Sequence, residues 1–188
     1  MINNMKTKFI ENEIKYEGFQ LAPHWIYKNF NIQGDSTVAF IGECEVKLDE
    51  MVDIEDVINN EPIYSKNMLS FISEQFNINL VEGVLRQRLM ISIIKEALEK
   101  RGFFIVRNGD DLFYENKKLT VSIATKSATS ILIHTGINII SSGAPIQAAG
   151  LTEDMNITDI KNFANEVLKN YSEELQDIYL ASTKVRGV

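Results

Sequence analysis

DDLFYENKKLTVSIATKSATSILIHTGINI, residues 110–139, is the run whose reading decides the fold. β-branched and aromatic residues recur along it and small polar residues interrupt it, so it reads as strands joined by turns. DDLFYE is one strand and KKLTVSIAT the next; after the KSATS turn, SILIHTGINII follows. FFIVRN, just upstream, makes four in succession. With no helix between them such strands pair antiparallel, which predicts an α+β chain and not a parallel sheet built by crossovers.

Outward from this run, LVEGVLRQRLMISIIKEALEKRG predicts a long amphipathic helix with a core stripe of Val81, Val84, Leu85, Ile91, Ile94 and Leu98 and Gly102 at its C-terminal cap. TDIKNFANEVLKNYSEELQDIYLAS predicts a second, with Thr158 as N-cap and apolar residues at helical spacing from Ile160 to Ile178. Between the two, SSGAPIQAAG reads as a loop of small residues, and STKVRGV as a basic tail. Towards the start, KFIENEIKYEG predicts two short strands around a polar turn, and LAPHWIYKNF a short helix with Pro23 in its first turn. TVAFIGECEVKL alternates as a strand, Val38, Phe40, Gly42 and Cys44 opposite Ala39, Ile41, Glu43 and Glu45. MVDIEDVINNEPIYS is acidic and irregular, a functional loop or short helical excursion, and KNMLSFISEQF reads as a further strand.

A chain of 188 residues that is 45% hydrophobic buries a sizeable core and is expected to form one domain, 1–188. Cys44 is its one cysteine, so no internal disulfide forms, and with no apolar run of membrane-spanning length the expectation is a cytoplasmic protein with no membrane contact. A net charge of −7 disfavours nucleic acid as a partner. His24 and His134 are the only histidines, and no His, Cys and carboxylate set has metal-ligand spacing, so no metal site is predicted. A magnesium ion arriving with ATP needs only one or two carboxylates, which leaves both as open cofactors.

Alternation places Lys118, Thr120, Ser122 and Ala124 on one face of their strand, and His134, Gly136 and Asn138 on one face of the next. If those faces adjoin, they form a patch of ammonium, hydroxyl, imidazole and amide groups, with Gly136 admitting a ligand closely. Such a patch suits a carboxylate or phosphate, Lys118 acting as a point charge. The competing reading is the solvent side of a half-covered sheet, with His134 a structural histidine and Asp110 and Asp111 turn residues after Gly109. His24 beside Trp25 lines a pocket mouth or staples a helix to the core; Arg86 pairs with nearby acids or binds an anion. Asp53, Glu55 and Asp56 form an acidic turn or hold magnesium. Cys44 reads as a buried strand residue rather than an acyl-accepting thiol.

DDLFYENKKLTVSI resembles the asparagine-aspartate-leucine segment and following lysine strand of biotin and lipoate protein ligases, and IHTGINI is similar to the histidine-glycine strand of lipoate ligases. The resemblance implies that Lys118 contacts an acyl carboxylate and its adenylate phosphate, and that Asp111 and His134 stand on matching site positions; Asp110 falls where that pattern has asparagine. The whole chain resembles the family called domain of unknown function 366, through HWIYKNF with GDS, MVDIED, the helix with Arg86 and Arg88, GDDLFYENKKLTVSIAT, IHTGIN and STKVR. That family implies the α+β fold of class II aminoacyl-tRNA synthetases and biotin synthetases, a mostly antiparallel sheet flanked by helices. The chain departs from the ligases upstream of the lysine strand, where NIQGDST and IGECEVK replace the glycine- and arginine-rich adenylate loop.

These readings give a ligase- or acyltransferase-like protein acting on a small carboxylate or acyl substrate, with Lys118, Asp111 and His134 as catalytic candidates. Thr120, Ser122, Gly136, Asn138, Arg86 and His24 are the substrate-binding candidates. The alternative is a non-catalytic binding module that has lost the adenylate loop. A homodimer through the exposed edge of the N-terminal strands is a third expectation.

Overall fold

The computed structural model describes residues 5–144 and 146–187; Met1 to Asn4, Pro145 of the small-residue loop and Val188 of the basic tail lie outside it. A five-stranded sheet is formed by β1 (Lys6–Phe9), β2 (Ser36–Val46), β3 (Ile63–Gln75), β7 (Thr120–Lys126) and β8 (Ile131–Ile140), in the order β1-β2-β3-β8-β7. β1 pairs parallel with β2, and all other pairs are antiparallel. β4 (Ile105–Asn108), β5 (Asp111–Tyr114) and β6 (Lys117–Lys118) make a separate antiparallel sheet. The mostly antiparallel α+β architecture is thus the one the strand run predicts.

Alternation along the strands divides the apolar residues between two cores. On one face α3 (Leu80–Glu99) and α4 (Ile160–Thr183) cover Ala39, Leu69, Phe71, Ile137 and Ile139. On the other, α1 (Trp25–Phe30) and the chain around Tyr16 cover Val38, Phe40, Cys44, Met68 and Ile72. The second predicted N-terminal strand is reduced to a single parallel bridge between Tyr16 and Cys44. Its backbone still runs against β2, with Ile14 N donating to Ile41 O at 3.0 Å and Tyr16 N to Glu43 O at 2.8 Å. Gly42 permits this approach, because a Cβ there would stand 2.1 Å from the Ile14 carbonyl oxygen.

The buried stripe of α3 differs from the predicted one. Ile91, Ile94 and Leu98 are buried, but Val81 and Leu85 are 71% and 65% exposed, and Gly83, Gln87, Met90 and Ala97 face inward instead. Gly83 sets this rotation, since any larger side chain would collide with Ile131 Cγ2, and counting bulky residues overlooks a glycine that faces a core. α4 is capped one residue later than predicted, by Asp159, whose side chain accepts from Asn162 N. The acidic segment contains α2 (Ile54–Asn59), capped by Asp53 accepting from Glu55 N at 2.9 Å. Among the described residues no helix is long and apolar enough to cross a membrane.

Candidate functional site

A cavity of about 720 Å³ opens on the sheet face opposite α3 and α4. Its buried floor is Met68, His134 and Asn138, walled by Tyr16, Val121 and Ile123. The segment carrying α2 forms the rim, and β5 and β6 bring Asp111 and Lys118 to it. Among the described residues seven carboxylates line the opening, from Glu50, Asp53, Glu55, Asp56, Glu61, Asp110 and Asp111, against one cationic side chain, Lys118.

Lys118 reaches this cavity because its strand breaks after it. The chain that sequence reads as one strand, KKLTVSIAT, divides into β6 and β7 at Leu119. Leu119 and Thr120 are both fully buried, so strict alternation fails there and Lys118 is released from the face that Thr120 occupies. Its peptide is held by the returning loop: Lys118 N donates to Gln147 O at 3.0 Å, and Ala149 N donates to Lys118 O at 2.9 Å. Lys118 Nζ lies 3.0 Å from Asp111 Oδ1. Burial pushes the Asp111 carboxyl above the ordinary carboxylate range, with the Lys118 charge pulling against it. Asp56 is raised as well, first by burial and then by the charge of Asp53, again against Lys118.

His134 is buried with its ring stacked 3.8 Å from that of Tyr16, and its Nε2 stands 3.3 Å from Ser70 Oγ. Burial lowers its pKa to about 3, so near neutral pH it presents an uncharged imidazole to the cavity. Asn138 is 8% exposed and lines the cavity.

The two polar faces that sequence alternation joins do not adjoin. β7 and β8 pair Val121 with Gly136, Ser122 with Thr135 and Ile123 with His134, so the face of His134 carries Val121 and Ile123, while Thr120 and Ser122 lie on the helix side. Thr120 Oγ1 accepts from Leu112 N at 2.9 Å. Ser122 borders the cavity, but its hydroxyl bonds to His134 O and Thr135 Oγ1 and receives Gln87 Nε2. The space above Gly136 belongs to Met68, whose Sδ would stand 2.2 Å from an added Cβ, so no ligand is admitted there. Arg86 lies outside the lining: Nη1 donates to Gln75 Oε1 and Nη2 to Glu82 Oε1, both at 2.6 Å. His24 is also outside it, at the start of α1, its N–H donating to the buried Glu74 carboxylate and its ring stacked on Phe76.

Lys118, Asp111, His134 and Asn138 are therefore brought to one cavity, with Ser122 at its edge. Tyr16, between Lys15 and Glu17, and Met68, at the start of an apolar run, escape sequence reasoning because nothing local marks either as a cavity residue. The carboxylates of α2 carry a visible signal, an acidic irregular segment, but not their position beside Lys118. The sheet and its flanking helices have the fold of class II aminoacyl-tRNA synthetases and biotin synthetases. A biotin protein ligase mutant from Aquifex aeolicus, solved with biotin, matches at a TM-score of 0.61 and 16% identity, covering 91% of this chain and 70% of that one. A putative lipoate protein ligase from T. acidophilum, with bound lipoic acid, matches at 0.56 and 14% identity, covering 91% and 86%.

More specifically, the chain belongs to the family described as domain of unknown function (DUF366), whose model matches residues 5–186. An uncharacterised protein of Methanocaldococcus jannaschii is 39% identical over 180 residues, 93% of this chain and 81% of that protein. A protein of unknown function from Pyrococcus horikoshi superposes with a TM-score of 0.91 at 38% identity, covering 98% and 99% of the two chains.

Proposed function

We propose that this protein binds a small carboxylate or acyl compound in the cavity, with the carboxylate held at Lys118. The observation that carries this reading is the position of Lys118, the one cation among the described lining residues, beside a buried floor that offers the Asn138 amide. Fold neighbours solved with biotin and with lipoic acid support a small-molecule site in this architecture. Residues 1–188 are read as one ligase-like domain working in the cytoplasm.

Transfer through an acyl-adenylate requires ATP, and the lining does not suit it. A triphosphate brought to seven carboxylates and one ion-paired lysine meets repulsion, and no glycine-rich loop supplies backbone N–H groups for its phosphates. The charge of the lining favours the second reading, a binding module without ligation.

Thermal shift with short carboxylic acids and, separately, with ATP and magnesium tests both readings, because a ligand bound by the folded state raises apparent stability by mass action. Stabilisation by acids that Lys118→Met abolishes, with none from nucleotide, is the expected result. Acids that act equally on the variant would remove Lys118 from the site; ATP-pyrophosphate exchange in the presence of an acid would restore the ligase reading.

A further inference from the structure

α2 is built inside out. Ile54, Val57 and Ile58 stand at i, i+3 and i+4 on one face of the helix, and an amphipathic helix turns such a face to a core. Here Ile54 and Ile58 are 73% and 77% exposed, and none of the three lines the cavity. The residues of this stretch that do line it are Asp53, Glu55 and Asp56, opposite the apolar side chains of Met68, Val121 and Ile123. Acids thus face an apolar floor while isoleucines face water. The Asp56 carboxyl registers the cost, held above the ordinary range first by burial and then by the charge of Asp53.

The segment that carries α2 is also weakly held. From Lys47 to Pro62 no residue is buried. Among the described residues every hydrogen bond of this segment stays within it, and none of its side chains enters an ion pair. Met51 is its one residue packed against a core. A helix of six residues is not stable on its own backbone bonds, and a segment so little attached opens at small cost. Its two ends are firm, since Val46 and Ile63 pair across β2 and β3. Movement is therefore confined between fixed points, which keeps α2 at the cavity rim.

We infer that α2 is a lid that rolls about its own axis when a ligand enters, replacing Asp53 and Asp56 at the cavity with Ile54, Val57 and Ile58. The inference rests on the reading that the cavity takes a small carboxylate or acyl compound. Roughly half a rotation exchanges the two faces of the helix. That single motion returns the carboxylates to water and lays apolar side chains over the aliphatic body of the ligand. It also withdraws negative charge from the neighbourhood in which Lys118 holds the ligand's carboxylate.

Hexanoate, with a chain for the lid to cover, and acetate, with none, separate the lid from the carboxylate contact. Each is added to the full chain labelled at its Ile, Met and Val methyl groups and at Lys118 Nζ, and followed by NMR. With hexanoate the methyls of Ile54 and Ile58 are expected to gain nuclear Overhauser contacts to those of Met68 and Val121, and Lys118 to respond; with acetate only Lys118 responds. Ile54→Ser combined with Ile58→Ser changes two exposed positions, so the fold is kept and no charge is added. This variant should bind hexanoate about tenfold or more weakly and acetate as before. Hexanoate binding unchanged in the variant, with no isoleucine contacts but a Lys118 response, overturns the lid and preserves the carboxylate reading. Isoleucine contacts with Lys118 silent support the lid and overturn the carboxylate reading. Shifts of both isoleucines that grow with protein concentration, together with a dimer mass in sedimentation, overturn the lid by showing that a second copy covers this face. Silence of every reporter overturns both readings.

Discussion

Lys118 Nζ stands 3.0 Å from Asp111 Oδ1, and the two residues belong to adjacent short strands of the small sheet, not to the large one. Asp111 pairs with Asn108 at the start of β5, and Lys118 with Phe113 at the end of the hairpin that turns through Glu115 and Asn116, both at positive φ. The hairpin thus fixes the separation of the two charges before any ligand arrives. Each side chain is about 30% exposed, so the pair sits at the cavity edge, where an arriving ligand can share it.

Removing the lysine should leave the acid more protonated. In Lys118→Met the burial that raises Asp111 is no longer opposed, so its carboxyl titrates at higher pH than in the parent, which a carboxyl-detected NMR titration reads directly. The pair is partly exposed, so the loss of stability should stay within about 1 kcal/mol. An unmoved Asp111 titration would show that the two charges do not interact in solution.

His134 should govern part of the acid sensitivity. In the fold its pKa is lowered to about 3, while the unfolded chain titrates it near the ordinary value of about 6.5. A depressed histidine leaves the folded state with fewer protons than the unfolded state between those values. Its contribution is therefore complete above pH ~6.5 and is lost as pH falls towards 3, at up to about 1.4 kcal/mol per pH unit. Asp56 and Asp111 act in the opposite sense, since the folded state holds their protons more tightly. The comparison with His134→Gln isolates the histidine: urea midpoints of the variant should vary less steeply with pH across that window, and parallel curves would refute the assignment.

Arg86 should matter to stability and not to binding. Its guanidinium joins Gln75 to Glu82, and Gln75 Nε2 in turn donates to Ser73 Oγ and Tyr171 Oη, tying β3 to α3 and α4. Arg86→Met strands the buried Gln75 carbonyl and should cost about 1–3 kcal/mol. For a chain of this size that lowers Tm by roughly 2–4 °C per kcal/mol. Affinity for whatever occupies the cavity should be unchanged; a large loss of affinity at constant Tm would return Arg86 to the site.

The elements were legible in the sequence where a strong period or a capping residue announces them, and the site was legible only in part. β2, β3, β8, α3 and α4 follow from alternation or helical spacing. Alternation fails at Leu119, where a one-residue break sends Lys118 and Thr120 to different sides. Nothing local announces that break, since Leu119 reads as one more apolar strand residue. Register is likewise a tertiary fact: whether Ser122 or Ile123 stands opposite His134 depends on the KSATS connection, and one residue of slip inverts the answer. Asp53, Asp56 and Glu61 share a cavity with Lys118 through tertiary packing, and no spacing in sequence encodes it.

Gly136 gives the sharpest test of how the cavity floor is built. On sequence the glycine admits a ligand; in the fold it admits Met68, whose Sδ would lie 2.2 Å from a Cβ and whose Cε would lie 3.1 Å away. Val121 Cγ2, at 3.1 Å, closes the other side. Methionine is flexible, so Gly136→Ala should displace Met68 rather than unfold the protein, at a cost of about 1–3 kcal/mol. The displaced side chain has the cavity to move into, which reduces the volume open to a ligand. Pairing Gly136→Ala with Met68→Ala removes the collision, so the double variant should lose less stability than the sum of the two single losses in denaturant titrations. Additive losses would mean that the methionine does not rest on the glycine, and a fully stable single variant would mean that the space above Gly136 is open after all.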